Sequence, residues 1–453
     1  MAAAIEIAKT GSITGYRGVH VAADAANARI TLKGTINAEH EGIASLGDDT
    51  VIMNSGKITG ITSANSHGIY SLGDNAKINN AGTIAAEGMG ILSAGDAAII
   101  TNNGSITTIT DFGIFSAGAQ ARVVNKGKIV SDEDSGIYVS GADTTVINSG
   151  KIVSNGDPDT GIGANDANVT IVNTGTITSV NNGIYSAGTD AHITNSGKVS
   201  VVDGGSCIVV AGGDATIVNN GKITVDSGHV ISSYFSTGSV TITNKGRMET
   251  TDNGFFDHAL RLGAAVDTIV NKGVMFGKID LGGGNDVFDN RGGKIDHNVI
   301  GGLGDDTLIV DSAKTKLIED VDGGFDTVQS TVSNILSDDV EALVLLGKGK
   351  INATGNAGDN TLTGNAGNNI LKGLGGADTF AFATGGGRDT IADFVAGVDK
   401  IDLSDWVFMD RDDVIDDQNT VEKNGNLVIT AGKDQLIILG VGKDDLAEGD
   451  FLF

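Results

Sequence analysis

Apolar and polar residues alternate with period two along most of the chain, in short runs. Gly183-Ile184-Tyr185-Ser186 and Ala191-His192-Ile193-Thr194 are typical, and each run closes on Gly, Asn or Asp. Such runs predict half-buried strands divided by tight turns. They also recur. The core Asn-x-Gly-x-apolar appears at Asn54, Asn80, Asn102, Asn125, Asn148, Asn173, Asn195, Asn219, Asn244, Asn271 and Asn290, in steps of 19 to 27 residues. A second element precedes it, as in Gly68-Ile69-Tyr70, Gly113-Ile114-Phe115 and Gly136-Ile137-Tyr138. Each repeat thus predicts three strands, one rung of a right-handed parallel β-helix. A lone rung has no closed core, and ordering it costs roughly 1–2 kcal/mol per residue. Stacking supplies the missing partners. The repeating Asn is expected to form an interior amide ladder, with exposed turns as the alternative. The Gly two residues later is expected where a side chain would hinder the backbone.

From about residue 281 the repeat changes. Gly301-Gly302-Leu303-Gly304-Asp305-Asp306-Thr307-Leu308 fits the pattern G-G-x-G-x-D-x-apolar. Looser copies run from Leu281 to Phe288 with Asp286, and from Val321 to Val328 with Asp326. Copies nine residues apart follow, carrying Asn360, Asn369 and Asp378, and a partial one carries Asp389. Glycines permit a tight turn with inward carbonyls, and the acid adds a charged oxygen. Stacked turns then complete a cage of six to eight oxygens suited to Ca²⁺. The expected ligands are Asp286, Asp306 and Asp378, with carbonyls of Gly302, Gly304, Gly373 and Gly375. Asp326, Asp389 and Asp393 are second choices, and Asn360 and Asn369 offer weaker, uncharged oxygens. The competing reading is a set of Asp-rich solubilising turns.

Composition sharpens this picture. The chain has 453 residues, with 68 Gly, 1 Pro and 4% aromatics. That is strand and turn material rather than helix. The net charge is −27, and residues 251–453 hold −19 of it. Nucleic acid and anionic membranes are therefore poor partners, and divalent cations good ones. Cys207, the one cysteine, is expected as a small buried hydrophobe. The start, Met1-Ala2-Ala3-Ala4-Ile5-Glu6-Ile7, lacks a basic stretch and does not read as a secretory leader. No run is long and apolar enough for a membrane span.

Two resemblances follow from these motifs. The Asn-x-Gly rungs resemble the solenoid segments of autotransporters and other bacterial adhesins. The nonapeptide turns resemble those of RTX proteins, which implies a calcium-binding parallel β-roll. Residues 376–382, 388–394 and 397–404 are similar to the C-terminal domain of serralysin-type secreted proteins. The ending Asp450-Phe451-Leu452-Phe453 resembles that of type I secretion substrates, which implies export through that machinery; a last docked strand is the alternative. The expected architecture is all-β, a parallel β-solenoid over 1–277 continuing into a β-roll over 278–400, with a capping and secretion segment over 401–453.

Catalytic motifs are not evident. The seven histidines are dispersed and lack zinc-site spacing, and no His-Glu-x-x-His occurs. The chain is expected to be no enzyme. A polysaccharide lyase or epimerase is the enzymatic alternative, although Asp157-Pro158-Asp159 reads as a surface bulge. The expected function is an extracellular, calcium-dependent structural protein that assembles with itself, head to tail or in a lattice, through an exposed first rung near Gly11. A short covering strand over residues 2–9 is the competing reading there. A monomeric adhesin or rod binding cell-surface glycans is the functional alternative, with Tyr234, Phe235, Phe255 and Phe256 as its candidate patch.

Overall fold

The computed structural model describes residues 4–453 except 157–159, 252–256, 407, 409 and 417. The Asp157–Asp159 turn and Phe255–Phe256 lie outside the described residues. Two compact units are present, residues 1–265 with 273–277, and residues 266–272 with 278–453.

The first unit is a parallel β-solenoid with three strands to a rung. Lys77–Asn80, Thr83–Ala86 and Met89–Ser93 form one rung, and Ile99–Asn102, Ser105–Thr108 and Ile114–Ser116 the next. The register is strict. Ile78 pairs with Ile100, Ile84 with Ile106, and Ile91 with Ile114. The inward residue of each strand therefore meets its counterpart one rung on, and these Ile and Val columns are fully buried. Each buried aliphatic side chain contributes about 1.5–3 kcal/mol. Ala4–Ile7 pairs with Arg29–Leu32, so a covering strand lies over that side of the first full rung.

The Asn ladder is present. Nδ2 of Asn54 donates to Oδ1 of Asn80 at 2.7 Å, and the chain of amides runs on through Asn102, Asn125, Asn148, Asn173, Asn195 and Asn219 to Asn244. These side chains are 0–1% exposed, so the ladder is interior. In the second unit Asn271 donates likewise to Asn290 at 2.8 Å. The glycine after each Asn serves a close approach. A Cβ at Gly104 or Gly127 would collide with the carbonyl oxygen of the matching glycine one rung earlier. These glycines do not need a left-handed φ. That conformation falls instead on the turn residues Asp49, Asn75, Ala97, Gln120, Asp143, Asn168 and Asp190, with φ between 54° and 58°.

Asn and Asp tolerate this region better than Ala. Ala97→Gly is therefore expected to stabilise the first unit by about 1 kcal/mol, read as a raised midpoint in chemical denaturation. Ala86→Gly, at a buried strand position, is expected to lower the midpoint. Cys207 is buried as expected, its thiol donating to the Thr224 carbonyl at 3.0 Å.

In the second unit the rungs shorten. Val287, Thr307, Thr327, Ala342, Thr361, Thr379 and Lys400 align in parallel register, and the next residue in each strand points inward. Phe288, Leu308, Leu343, Leu362, Phe380 and Ile401 are fully buried there. The opposite sheet brings Ala353, Leu371 and Ile391 inward. Three antiparallel strands, Thr420–Lys423, Asn426–Ala431 and Asp434–Leu439, close the roll, the last lying on Arg388–Ile391. Phe451–Leu452 docks in parallel on Lys400–Asp402, with Phe451 buried. Among the described residues no helix is long and apolar enough to cross a membrane.

Candidate metal centre

Each inward apolar residue of the roll comes two positions after a turn residue with a polar side chain. Parallel register stacks these turn residues into one column: Asp286, Asp306, Asp326, Glu341, Asn360, Asp378 and Asp399. The backbone explains their orientation. The N–H groups of Asp286, Asp306, Asp326, Asn360 and Asp378 each take a side-chain oxygen from the following rung, while that of Asp399 goes to the Val395 carbonyl. Asp286 N–H donates to Asp306 Oδ1 at 2.7 Å, Asp306 N–H to Asp326 Oδ1 at 2.8 Å, and Asp326 N–H to Glu341 Oε2 at 2.7 Å. Further along, Asn360 N–H donates to Asp378 Oδ1 at 2.9 Å and Asp378 N–H to Asp399 Oδ1 at 3.0 Å. On the opposite sheet Asn369 N–H donates to Asp389 Oδ1 at 2.8 Å.

One oxygen of each carboxylate is thus spent on the backbone. The second oxygens of Asp286, Asp306 and Asp326 are buried and have no hydrogen-bond partner. Glu319 joins them. Its Oε2 accepts from Gly302 N–H at 3.0 Å, and its Oε1 is buried without a partner. Carboxylate oxygens of Asp306, Glu319 and Asp326 lie within 4.8 Å of one another. Gly301 leaves the space open: a Cβ there would run into Glu319 Oε1 and Asp306 Oδ2. Bare carboxylate oxygens gathered in a buried cradle fit a hard divalent ion.

Burial raises these acids, with neighbouring carboxylates adding to it. Asp286 and Glu319 are pushed up to about 8, Asp389 to about 7, and Asp306, Asp326 and Asp378 to about 6. An unfolded carboxylate titrates near 4. Below that pH both states are protonated, and the groups have no effect. Between about 4 and 8 the unfolded chain ionises while the folded one resists. The metal-free second unit is therefore expected to lose stability as pH rises from 5 to 8. Its melting temperature in metal-free buffers should fall across that range; a flat or rising profile would contradict the burial of these acids.

Gly302 and Gly304 have φ of 106° and 118°, a region that favours glycine. Gly373 N–H donates to Asp393, whose other oxygen takes Leu374 N–H, so both Asp393 oxygens are held by backbone. Gly375 N–H reaches the Asn356 carbonyl at 3.4 Å. Asn360 turns its Oδ1 to Asn356 N–H at 2.7 Å and its Nδ2 to Val340 O and Asn356 Oδ1. Asn369 does the same with Asn365 and Ile351 O. Both amides staple their turns by hydrogen bonds. Glu319, Glu341 and Asp399 escape the nonapeptide pattern. Glu341 and Asp399 share one sequence signal, an acid two residues before a buried apolar one, as in Glu341-Ala342-Leu343.

Of the candidate surface patch, Phe235 is 79% exposed, and Arg261 lies over the Tyr234 ring at 4.1 Å.

Residues 62–257 match the family described as BigA third pectate lyase-like domain, and residues 280–435 match that described as Peptidase M10 serralysin C terminal. No curated protein matches the chain by sequence. Among solved structures, the extracellular lipase LipA from Serratia marcescens is similar at 17% identity, over 53% of this chain and 40% of the lipase, with a TM-score of 0.23. The chain thus spans well under half of that lipase, and a likeness this weak carries nothing about activity. In sequence order, then, the protein joins a pectate lyase-like β-solenoid segment to an RTX-type serralysin C-terminal β-roll.

Proposed function

We propose that the protein is a secreted, calcium-stabilised structural solenoid that assembles with copies of itself outside the cell. One observation carries the calcium reading: the bare, buried oxygens of Asp306, Glu319 and Asp326 around the Gly301 cradle. Asp286 and Asp378 extend the same column and would hold further ions. Calcium supplies the positive charge that lets these acids ionise in place, and binding energy becomes folding energy. Type I secretion fits this chemistry, because a chain poor in calcium stays loose in transit and sets on reaching a calcium-rich medium.

Charge supports self-association. The solenoid's outer face carries Lys128 beside Lys151, and Lys198 beside Lys222, in register on adjacent rungs. The second half of the chain is strongly acidic. Basic rows on one copy complement acidic turns on another, head to tail. No catalytic role is proposed for either unit. Negative-stain microscopy of the purified protein tests the assembly. Ordered fibres or sheets are expected with millimolar calcium, and none with chelator. Dispersed rods in both conditions would favour the monomeric adhesin instead.

A further inference from the structure

A second site lies on the outer face of the solenoid in the first unit. Phe115, Tyr138, Gly163 and Tyr185 occupy one outward position on successive rungs. Phe112 stacks on Phe115 at 5.3 Å and on Tyr138 at 5.0 Å, so the rings on one side of the row form a fixed platform. Gly163 then interrupts the row. A Cβ at this position would sit 2.5 Å from the Tyr138 ring, which therefore leans across the vacant place. Tyr185 stands on the far side with no ring packed against it among the described residues. Two rungs separate the tyrosines, about 9.6 Å at the strand spacing.

The gap opens a cleft of about 440 Å³. Polar groups edge it, and they are already ordered. Asp134 accepts from Ser135 N–H at 2.5 Å, and Ser135 Oγ in turn accepts from the Thr160 hydroxyl at 3.0 Å. Asn182 lines the side next to Tyr185. Asp111 fills the place equivalent to Asp134 one rung earlier, its Oδ1 accepting from Phe112 N–H at 2.8 Å. Burial raises both carboxyls above the usual range.

We infer that this cleft binds a neutral, β-1,4-linked glycan laid across the rungs, with sugar rings on Tyr138 and Tyr185 and sugar hydroxyls on Asp134 and Asn182. Aromatic faces offer flat apolar area to the C–H face of a pyranose, while a few fixed polar groups set its orientation. The two-rung spacing suits an extended β-1,4 chain, in which alternate sugars present the same face. The Asp134 carboxylate in the cleft, Asp111 one rung earlier and a net charge of −27 oppose uronate or sialylated chains. This site is independent of the calcium reading, since none of its residues belongs to the carboxylate column.

The test is calorimetric titration of the full-length, calcium-loaded protein. The probes are β-1,4-linked hexamers of glucose, mannose and N-acetylglucosamine, with a hexamer of galacturonic acid as the anionic control. At least one neutral hexamer is expected to bind, and the anionic one not to. Tyr185→Ala is expected to weaken binding by about tenfold or more, Tyr185→Phe to retain it, and neither to move the melting temperature. Failure of all neutral hexamers, equal binding of the galacturonate hexamer, or parental affinity in Tyr185→Ala would each overturn the assignment.

Discussion

Removing divalent cations from the full-length protein is expected to melt the second unit and spare the first. The first unit is held by aliphatic columns and uncharged amides, which carry no charge for a cation to neutralise. The second buries Asp286, Asp306, Glu319 and Asp326 with bare oxygens, and the charges that act on them are those of other carboxylates. At neutral pH, folding without metal must either hold protons on these groups or crowd their charges. Calcium at a hundred times its dissociation constant adds about 2.7 kcal/mol per site, a large part of a typical domain stability of about 5–15 kcal/mol. Scanning calorimetry should show two transitions, the one from the second unit rising steeply with calcium. Gly301→Ala provides an internal check. It keeps every carboxylate but puts a methyl group into the cradle, so it should blunt the calcium response. A second unit that melts identically in calcium and chelator would remove the metal centre.

Replacing Asn148 with Leu is expected to cost the first unit about 3–5 kcal/mol. Asn148 sits mid-ladder, fully buried, accepting from Asn125 and donating to Asn173 at 2.8 Å each. Leucine strands one donor and one acceptor in a dry interior, at about 1–3 kcal/mol apiece. It must also fit a branched side chain into a slot shaped for a planar amide, which adds overpacking strain. Urea denaturation of the calcium-loaded variant, followed through the first unit, measures the loss. An unchanged midpoint would mean that the amides contribute nothing net.

Much of this was legible in the sequence, for a physical reason. A solenoid rung contacts only its neighbours, so each rung must solve the same packing problem, and the solution is written again at Asn54, Asn80, Asn102 and onward. The G-G-x-G turn around Asp306 was legible because left-handed φ at Gly302 and Gly304 leaves little alternative to glycine. The partners of that turn were less so. Glu319 reaches Asp306 from outside the nonapeptide, and no local spacing marks it. Asn360 and Asn369 offered oxygens in the sequence, but an amide also brings its own N–H groups. It can therefore close its turn unaided, as the bonds to Asn356 and Asn365 show. Charge alone separates the two cases: a carboxylate in that place lacks a donor and must find a cation or a proton.

The interior amides carry one more implication. From Asn54 to Asn244 every Nδ2 points toward higher residue numbers and every Oδ1 toward lower ones. Reversing a single member would set oxygen against oxygen on one side and hydrogen against hydrogen on the other. The row therefore behaves as one object with a fixed sense, like a file of compass needles that must turn together or stay put. Its two termini are chemically unlike, and the solenoid has a built-in polarity along its axis that no change to its surface can reverse.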